Sequence, residues 1–164
     1  FLDGNGRIGR MLITLMLLAD GILRRPVLYL SLYLKTNRIE YYDRLSEVRT
    51  KGNYEQWIKF FLHGIIETCD DGIKTIESIN SLIKSDEEKL VKKTETVSKV
   101  FNYIKEHPII SIGRAATALG LSYNGVSSAV KKMVEVGMLN ETTTKARDRV
   151  FEYSGYIDIL KSGT

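Results

Sequence analysis

Apolar residues that recur every three or four positions are the feature that most limits what this chain can fold into. They follow this spacing over residues 8–19, in the stretches that begin at Asn37 and Tyr54, and over residues 97–104. Such spacing predicts amphipathic helices. The sequence therefore predicts a mainly α fold. The segment 8–19 is apolar nearly all round, so we expect it to lie at the centre of a core.

Composition excludes several classes of protein. The chain has 164 residues, of which 43% are hydrophobic, which is enough for one domain or two small ones. Its longest apolar run, Met11 to Leu18, is interrupted by Thr14 and is far shorter than the ~20 residues that a membrane span needs. The single cysteine, Cys69, excludes an intrachain disulfide and a cysteine-rich zinc site. We therefore expect a cytoplasmic protein with no membrane partner.

The second half of the chain has a different pattern. Short helices should follow Ser111 and Ser122, which are good N-cap residues, and a polar turn over residues 142–149 separates two candidate strands. The charged stretch before this half is a candidate helical linker. The sequence thus predicts three parts: 1–84, a linker at 85–94, and 95–164 with three helices and a small β-hairpin.

Residues 95–160 resemble a winged helix. A small residue, a turn glycine and a β-branched anchor stand at Ala116, Gly120 and Val126, which is the spacing of a helix-turn-helix. Residues 89–164 also hold 12 Lys and Arg against 7 Asp and Glu, a balance that suits double-stranded DNA. The candidate DNA-binding residues are Tyr123, Asn124, Ser127, Ser128, Lys131, Lys132, Lys145, Arg147 and Arg149. A protein-interaction or dimerisation module is the alternative, and a homodimer stays open.

The most informative residues stand at the start of the chain, just before the first predicted helix. Gly4 and Gly6 permit a tight turn, and the helix N-terminus adds unpaired N–H donors and a partial positive charge. Arg7 and Arg10 are three positions apart and share a helix face. Together with the Asn5 amide they predict a phosphate cradle, and Asp3 is placed to hold a magnesium ion. An ordinary turn followed by surface arginines is the other interpretation.

The same segment resembles the signature of the Fic family, which reads His-Pro-Phe, one residue, Asp or Glu, Gly-Asn-Gly-Arg, two residues, Arg. Seven positions match: Phe1, Asp3, Gly4, Asn5, Gly6, Arg7 and Arg10. The segment that follows is also similar, so the resemblance covers roughly residues 1–83. It implies that residues 1–84 are the C-terminal part of an all-α Fic catalytic domain.

The resemblance implies a nucleotidyltransferase that moves AMP from ATP onto a Ser, Thr or Tyr hydroxyl of a target protein. Some members transfer other phosphate-containing groups. By the resemblance, Asp3 holds magnesium, the Gly4–Gly6 loop and Asn5 bind phosphates, and Arg7 and Arg10 neutralise the outer phosphates. The cofactors implied are ATP, as substrate, and Mg²⁺.

One member of the motif is not in this sequence. The family's histidine, which accepts the proton of the attacking hydroxyl, would stand two positions before Phe1. We therefore expect an enzyme in the full-length protein and an inactive fragment here. The rival hypothesis is a DNA-binding transcriptional regulator in which the Fic part senses nucleotide or dimerises.

Overall fold

A computed structural model describes residues 4–26, 29–90, 94–143 and 149–162. Over these residues the protein has eight helices and one small antiparallel sheet, which confirms the predicted mainly α fold with a small β-hairpin. The chain divides into two compact units, Phe1–Lys74 and Thr75–Thr164. Among the described helices, none is both long enough and apolar enough to cross a membrane.

The first unit is helical. Its elements are α1 (Asn5–Ala19), α2 (Leu30–Thr36), α3 (Arg38–Lys51) and the first part of α4 (Tyr54–Lys89). Its core has four buried residues, Leu30, Tyr33, Leu34 and Phe60. Helix α2 was not predicted from the sequence, although it supplies three of the four. Its seven residues are too few for helical periodicity to be recognised.

The prediction that the segment 8–19 lies at the centre of a core is wrong for this structure. No residue of α1 is buried, and five of its large apolar side chains are 45–66% exposed: Ile8, Met11, Leu12, Leu15 and Met16. Of the residues of α1, only Ile13 packs against the first core, and it is partly buried. Periodicity establishes that a helix has apolar faces, but it carries no information on what covers them.

The second unit has the arrangement expected of a winged helix. Its further elements are α5 (Glu95–Glu106), β1 (Ile109–Ser111), α6 (Ile112–Leu119), α7 (Tyr123–Glu135), β2 (Leu139–Glu141), β3 (Val150–Tyr153) and α8 (Ser154–Ser162). The strands lie in the order β1-β3-β2, and both pairs are antiparallel. The predicted hairpin is β2 with β3. The three-residue strand β1 and the helix α8 were not predicted.

The helix caps explain several boundaries. Ser122 caps α7 as predicted, because its Oγ accepts a 3.2 Å hydrogen bond from the Gly125 N–H. Gly120 ends α6 in the left-handed conformation, at φ +62°. Asn37 precedes α3, but its side chain turns back and donates to the Tyr33 carbonyl at 3.1 Å. The Asn37 side chain therefore caps the C-terminal end of α2 rather than the N-terminal end of α3.

Half of the predicted helical linker is helical in the structure. Helix α4 continues as far as Lys89, through five of the ten residues of the interval 85–94, and Leu90 belongs to the core of the second unit. Asp86 is buried, at 2% exposure. One charged side chain of the predicted linker is therefore buried rather than in solvent. Residues 91–93 lie outside the described residues.

Candidate functional site

The first candidate site is the start of α1. Gly4 has φ +82°, a conformation that residues with a side chain rarely adopt, and its carbonyl accepts hydrogen bonds from the Arg7 and Ile8 amides at 3.0 and 3.1 Å. The helix therefore begins immediately after this residue. None of the residues in its first turn, Asn5 to Ile8, is acidic.

Arg10 is the residue that gives this site its charge. One terminal nitrogen of its guanidinium lies 3.4 Å from the point where a Cβ on Gly6 would stand. The side chain therefore folds back along α1 toward its N-terminus. Arg7, one turn earlier, is exposed. Two cations and a positive helix end thus occur within the first two turns.

The chemistry of these groups suits an anion. Guanidinium groups and the N–H end of a helix bind phosphate oxygens. None of the described groups here supplies the carboxylate oxygens that magnesium prefers. No cluster of three or more His, Cys, Asp or Glu side chains suited to a metal occurs in the described part of the chain. Asp3 and Phe1 lie outside the described residues, so the metal assignment stays a prediction.

The two histidines have local partners of their own. His63 is exposed, and its Nε2 lies 3.7 Å from Glu67, one turn further along α4. The His107 ring stacks on Tyr103 with 4.3 Å between ring centres. Neither observation gives a catalytic role to either histidine.

The second candidate site is the exposed face of α7. This helix buries Val126, Ala129, Val130 and Met133, and it turns its polar side chains outward. Five predicted DNA-binding residues are exposed: Tyr123, Asn124, Ser128, Lys131 and Lys132. Ser127 is half-buried. The helical arrangement therefore presents these side chains as the spacing predicted.

Two of the predicted DNA-binding cations are already paired with carboxylates, which leaves them less available to bind a DNA phosphate. Arg149 makes two hydrogen bonds of 2.5 Å to the Glu141 carboxylate across the hairpin, and its guanidinium lies over the Phe151 ring. The bonds from Arg149 lower the pKa of Glu141 and raise that of Arg149 itself. Lys131 lies 3.9 Å from Glu135. Lys145 and Arg147 lie outside the described residues.

A third polar cluster escaped the sequence analysis. The Tyr153 hydroxyl and Lys89 Nζ contact the two carboxylate oxygens of Asp86, at 2.7 and 2.6 Å. A carboxylate in a run of charged residues normally lies in solvent. The partner, Tyr153, stands in a strand 67 positions away, so no local signal could have identified the pair.

A scan against protein-family models finds none that matches this chain. The functional assignment therefore depends on the residues and their geometry.

Proposed function

We propose that the chain carries the phosphate-binding part of a magnesium- and ATP-dependent protein AMP-transferase. The observation that supports this most is the Arg10 guanidinium, which folds toward the N-terminus of α1 beside Gly6. In this proposal Arg7 and Arg10 neutralise the outer phosphates of ATP. The backbone of Gly4–Gly6 and the side chain of Asn5 bind and orient its phosphate groups. Asp3 holds the Mg²⁺ ion, which withdraws charge from the phosphate oxygens when it is bound.

The physical reason is that transfer of a phosphate-containing group depends mainly on positioning and on stabilising spread negative charge. Two arginines three positions apart suit that requirement because they share one face of the helix and can bind the same chain of phosphate groups. The base that would accept the proton of the target's hydroxyl is not assigned to any of these 164 residues. The role proposed for this chain is therefore binding. A cytoplasmic location belongs to the same proposal, since ATP is abundant there and Cys69 is unpaired.

Nucleotide binding by the 164-residue chain tests the proposal. Titration with ATP and Mg²⁺ in a calorimeter should detect binding, and Arg10→Ala should weaken it about tenfold or more, because a charge-assisted hydrogen bond contributes ~1.5–3 kcal/mol. Arg24→Ala is the matched control, since it removes an equal charge from an exposed position after α1. Equal weakening by the two variants, or no ATP binding at all, would contradict the phosphate site.

Incubation with labelled ATP separates binding from catalysis. The chain should transfer no AMP to itself or to added proteins, because the motif's histidine is not among its residues. Measurable transfer would mean that the proton is accepted by a group that we have not assigned.

A second candidate function is binding of double-stranded DNA by the winged helix. The exposed polar face of α7 favours it. The ion pairs of Lys131 and Arg149 weigh against it, because each carboxylate opposes the approach of a phosphate. In this alternative the protein is a transcriptional regulator, and the first unit senses nucleotide or dimerises.

A further inference from the structure

Helices α6 and α7 carry few charged side chains, and the structure separates those that have a partner from those that have none. Residues 112–135 hold one carboxylate, Glu135, and three cations, which are Arg114, Lys131 and Lys132. Glu135 lies 3.9 Å from Lys131. Arg114 and Lys132 make no ion pair, side-chain hydrogen bond or ring contact with any residue that the structure describes. Arg114 was not among the residues predicted from the sequence.

The surface around Arg114 is open and carries no negative side chain of α6. The other face of this helix is buried in the core of the second unit. Beside Arg114, the exposed face consists of three small uncharged residues: Gly113, Thr117 and Ala118. The Thr117 hydroxyl already donates to the Gly113 carbonyl, at 3.1 Å, and a Cβ on Gly113 would meet no atom within 4 Å. A large partner can therefore approach α6 closely at this point.

The position of Arg114 in α6 does not favour the folded helix. Arg114 is the third residue of α6, and a cation in the first turn is opposed by the positive end of the helix dipole. The first turn has no acidic residue that would offset this repulsion. The guanidinium gains nothing from a partner among the described residues, whereas an anion from outside the chain would offset the cost.

We propose that Arg114 binds a phosphate of double-stranded DNA. The proposal rests on the second candidate function, DNA binding by the winged helix. When a helix-turn-helix binds DNA, its second helix lies in the major groove and its first helix crosses the sugar–phosphate backbone. Helices α6 and α7 are the first and second helices of such a pair, and Gly120 makes the turn between them at φ +62°. Arg114 is the one cation of the first helix.

Arg114 is more available to a phosphate than two of the cations predicted from the sequence. Lys131 lies near Glu135, and Arg149 is bound to Glu141. A phosphate that approaches either cation also approaches a carboxylate, and the two negative charges repel each other. A phosphate at Arg114 meets no carboxylate of α6, and a guanidinium can donate two parallel hydrogen bonds to its oxygens.

Fluorescence anisotropy of a labelled random-sequence duplex, titrated with the full 164-residue chain, tests the proposal. Arg114→Ala should weaken binding roughly eightfold at 0.1 M salt and flatten the log–log salt slope by about 0.9, because one phosphate contact fewer releases fewer counterions. Lys161→Ala is the matched control, since it removes an equal charge from α8, and it should bind as the wild type does.

The outcomes distinguish this proposal from the function on which it rests. If the wild-type chain binds duplex DNA and the two variants bind equally well, Arg114 is not a phosphate contact, while DNA binding by the winged helix stands. If the wild-type chain binds no duplex at low salt, both are overturned.

Two further variants and one stability measurement separate a phosphate contact from a structural role. Arg114→Lys keeps the charge, so it should retain the wild-type salt slope. Arg114→Ala should unfold at the wild-type temperature or slightly above it, because the substitution removes a cation from the first turn of α6. A lower unfolding temperature for Arg114→Ala, or binding by Arg114→Lys as weak as by Arg114→Ala, would overturn the proposal.

Sequence independence is the last expected signature. Arg114→Ala should weaken binding to every duplex by the same factor, because phosphates carry no base identity. A changed order of preference among duplexes of different sequence would show that Arg114 contacts bases, and would overturn the phosphate assignment.

Discussion

The hydroxyl of Tyr153 in β3 donates a 2.7 Å hydrogen bond to Oδ2 of Asp86 near the end of α4. The two side chains are 1% and 2% exposed, and Lys89 binds the other carboxylate oxygen. A buried carboxylate is stable only when it is paired and hydrogen-bonded. This contact therefore fixes the last turns of α4 to the sheet of the second unit.

Tyr153→Phe should lower the free energy of unfolding of the second unit by about 1–3 kcal/mol, because the Asp86 carboxylate stays buried with one partner fewer. Urea denaturation followed by circular dichroism measures the change. Tyr123→Phe is the matched control, since this tyrosine is 56% exposed. The control variant should be as stable as the wild type. An unchanged midpoint for Tyr153→Phe would contradict the role given to the contact.

The same contact can be checked by the pH dependence of the difference in unfolding free energy between the wild type and Tyr153→Phe. Burial, and then the hydrogen bond to Asp86, raise the pKa of Tyr153 above its ordinary value of 10.0. A group with a raised folded-state pKa contributes stability that is complete below the unfolded pKa and is lost as the pH rises above it. The difference between wild type and Tyr153→Phe should be constant from about pH 7 to 9 and shrink above about pH 10. A difference that grows above pH 10 would be inconsistent with this assignment.

Gly64→Ala should destabilise the first unit. A Cβ at this position would lie 2.4 Å from two ring carbons of Tyr33, which is itself buried. The ring must move, and such overpacking typically costs about 1–3 kcal/mol. Gly72→Ala on the same helix is the control, because its Cβ would meet no atom within 4 Å. It should leave the protein as stable or up to about 1 kcal/mol more stable. Thermal unfolding of both variants measures the contrast, and equal melting temperatures would refute the proposed packing.

If the winged helix binds DNA, breaking the ion pair between Arg149 and Glu141 should change its affinity for DNA. Glu141→Gln should increase affinity for duplex DNA and steepen its log–log salt dependence by about 0.9, because the freed guanidinium adds one phosphate contact. Lys132→Ala should have the opposite effect on every sequence, whereas Asn124→Ala should alter sequence preference. Fluorescence anisotropy at two salt concentrations measures both.

Lys161→Ala on α8 is the control for this series and should leave binding unchanged. The absence of duplex binding at low salt, in the wild type and in Glu141→Gln alike, would remove DNA from the partners of this chain.

The sequence by itself determined the elements whose signals are local. Ser122 and Gly120 mark helix ends by their own backbone and side-chain preferences, and the helical spacing over 97–104 determined α5. The hairpin strands were likewise predicted to within one residue, because a polar turn separates two short apolar runs. The grouping of Gly4, Arg7 and Arg10 is also local, since they stand at the N-cap and in the first two turns of one helix, whereas phosphate binding by them stays a prediction.

The tertiary structure decided everything that depends on distant partners. Strand β1 exists because Ile109 to Ser111 find hydrogen-bonding partners in β3, about forty positions away. Asp86 is buried where the Tyr153 hydroxyl donates a hydrogen bond to it. Whether Arg149 is available to bind a phosphate depends on Glu141, its partner across the hairpin. The exposure of α1 was equally invisible in the sequence. Periodicity records which face of a helix is apolar, but only the positions of the other elements determine whether that face is covered.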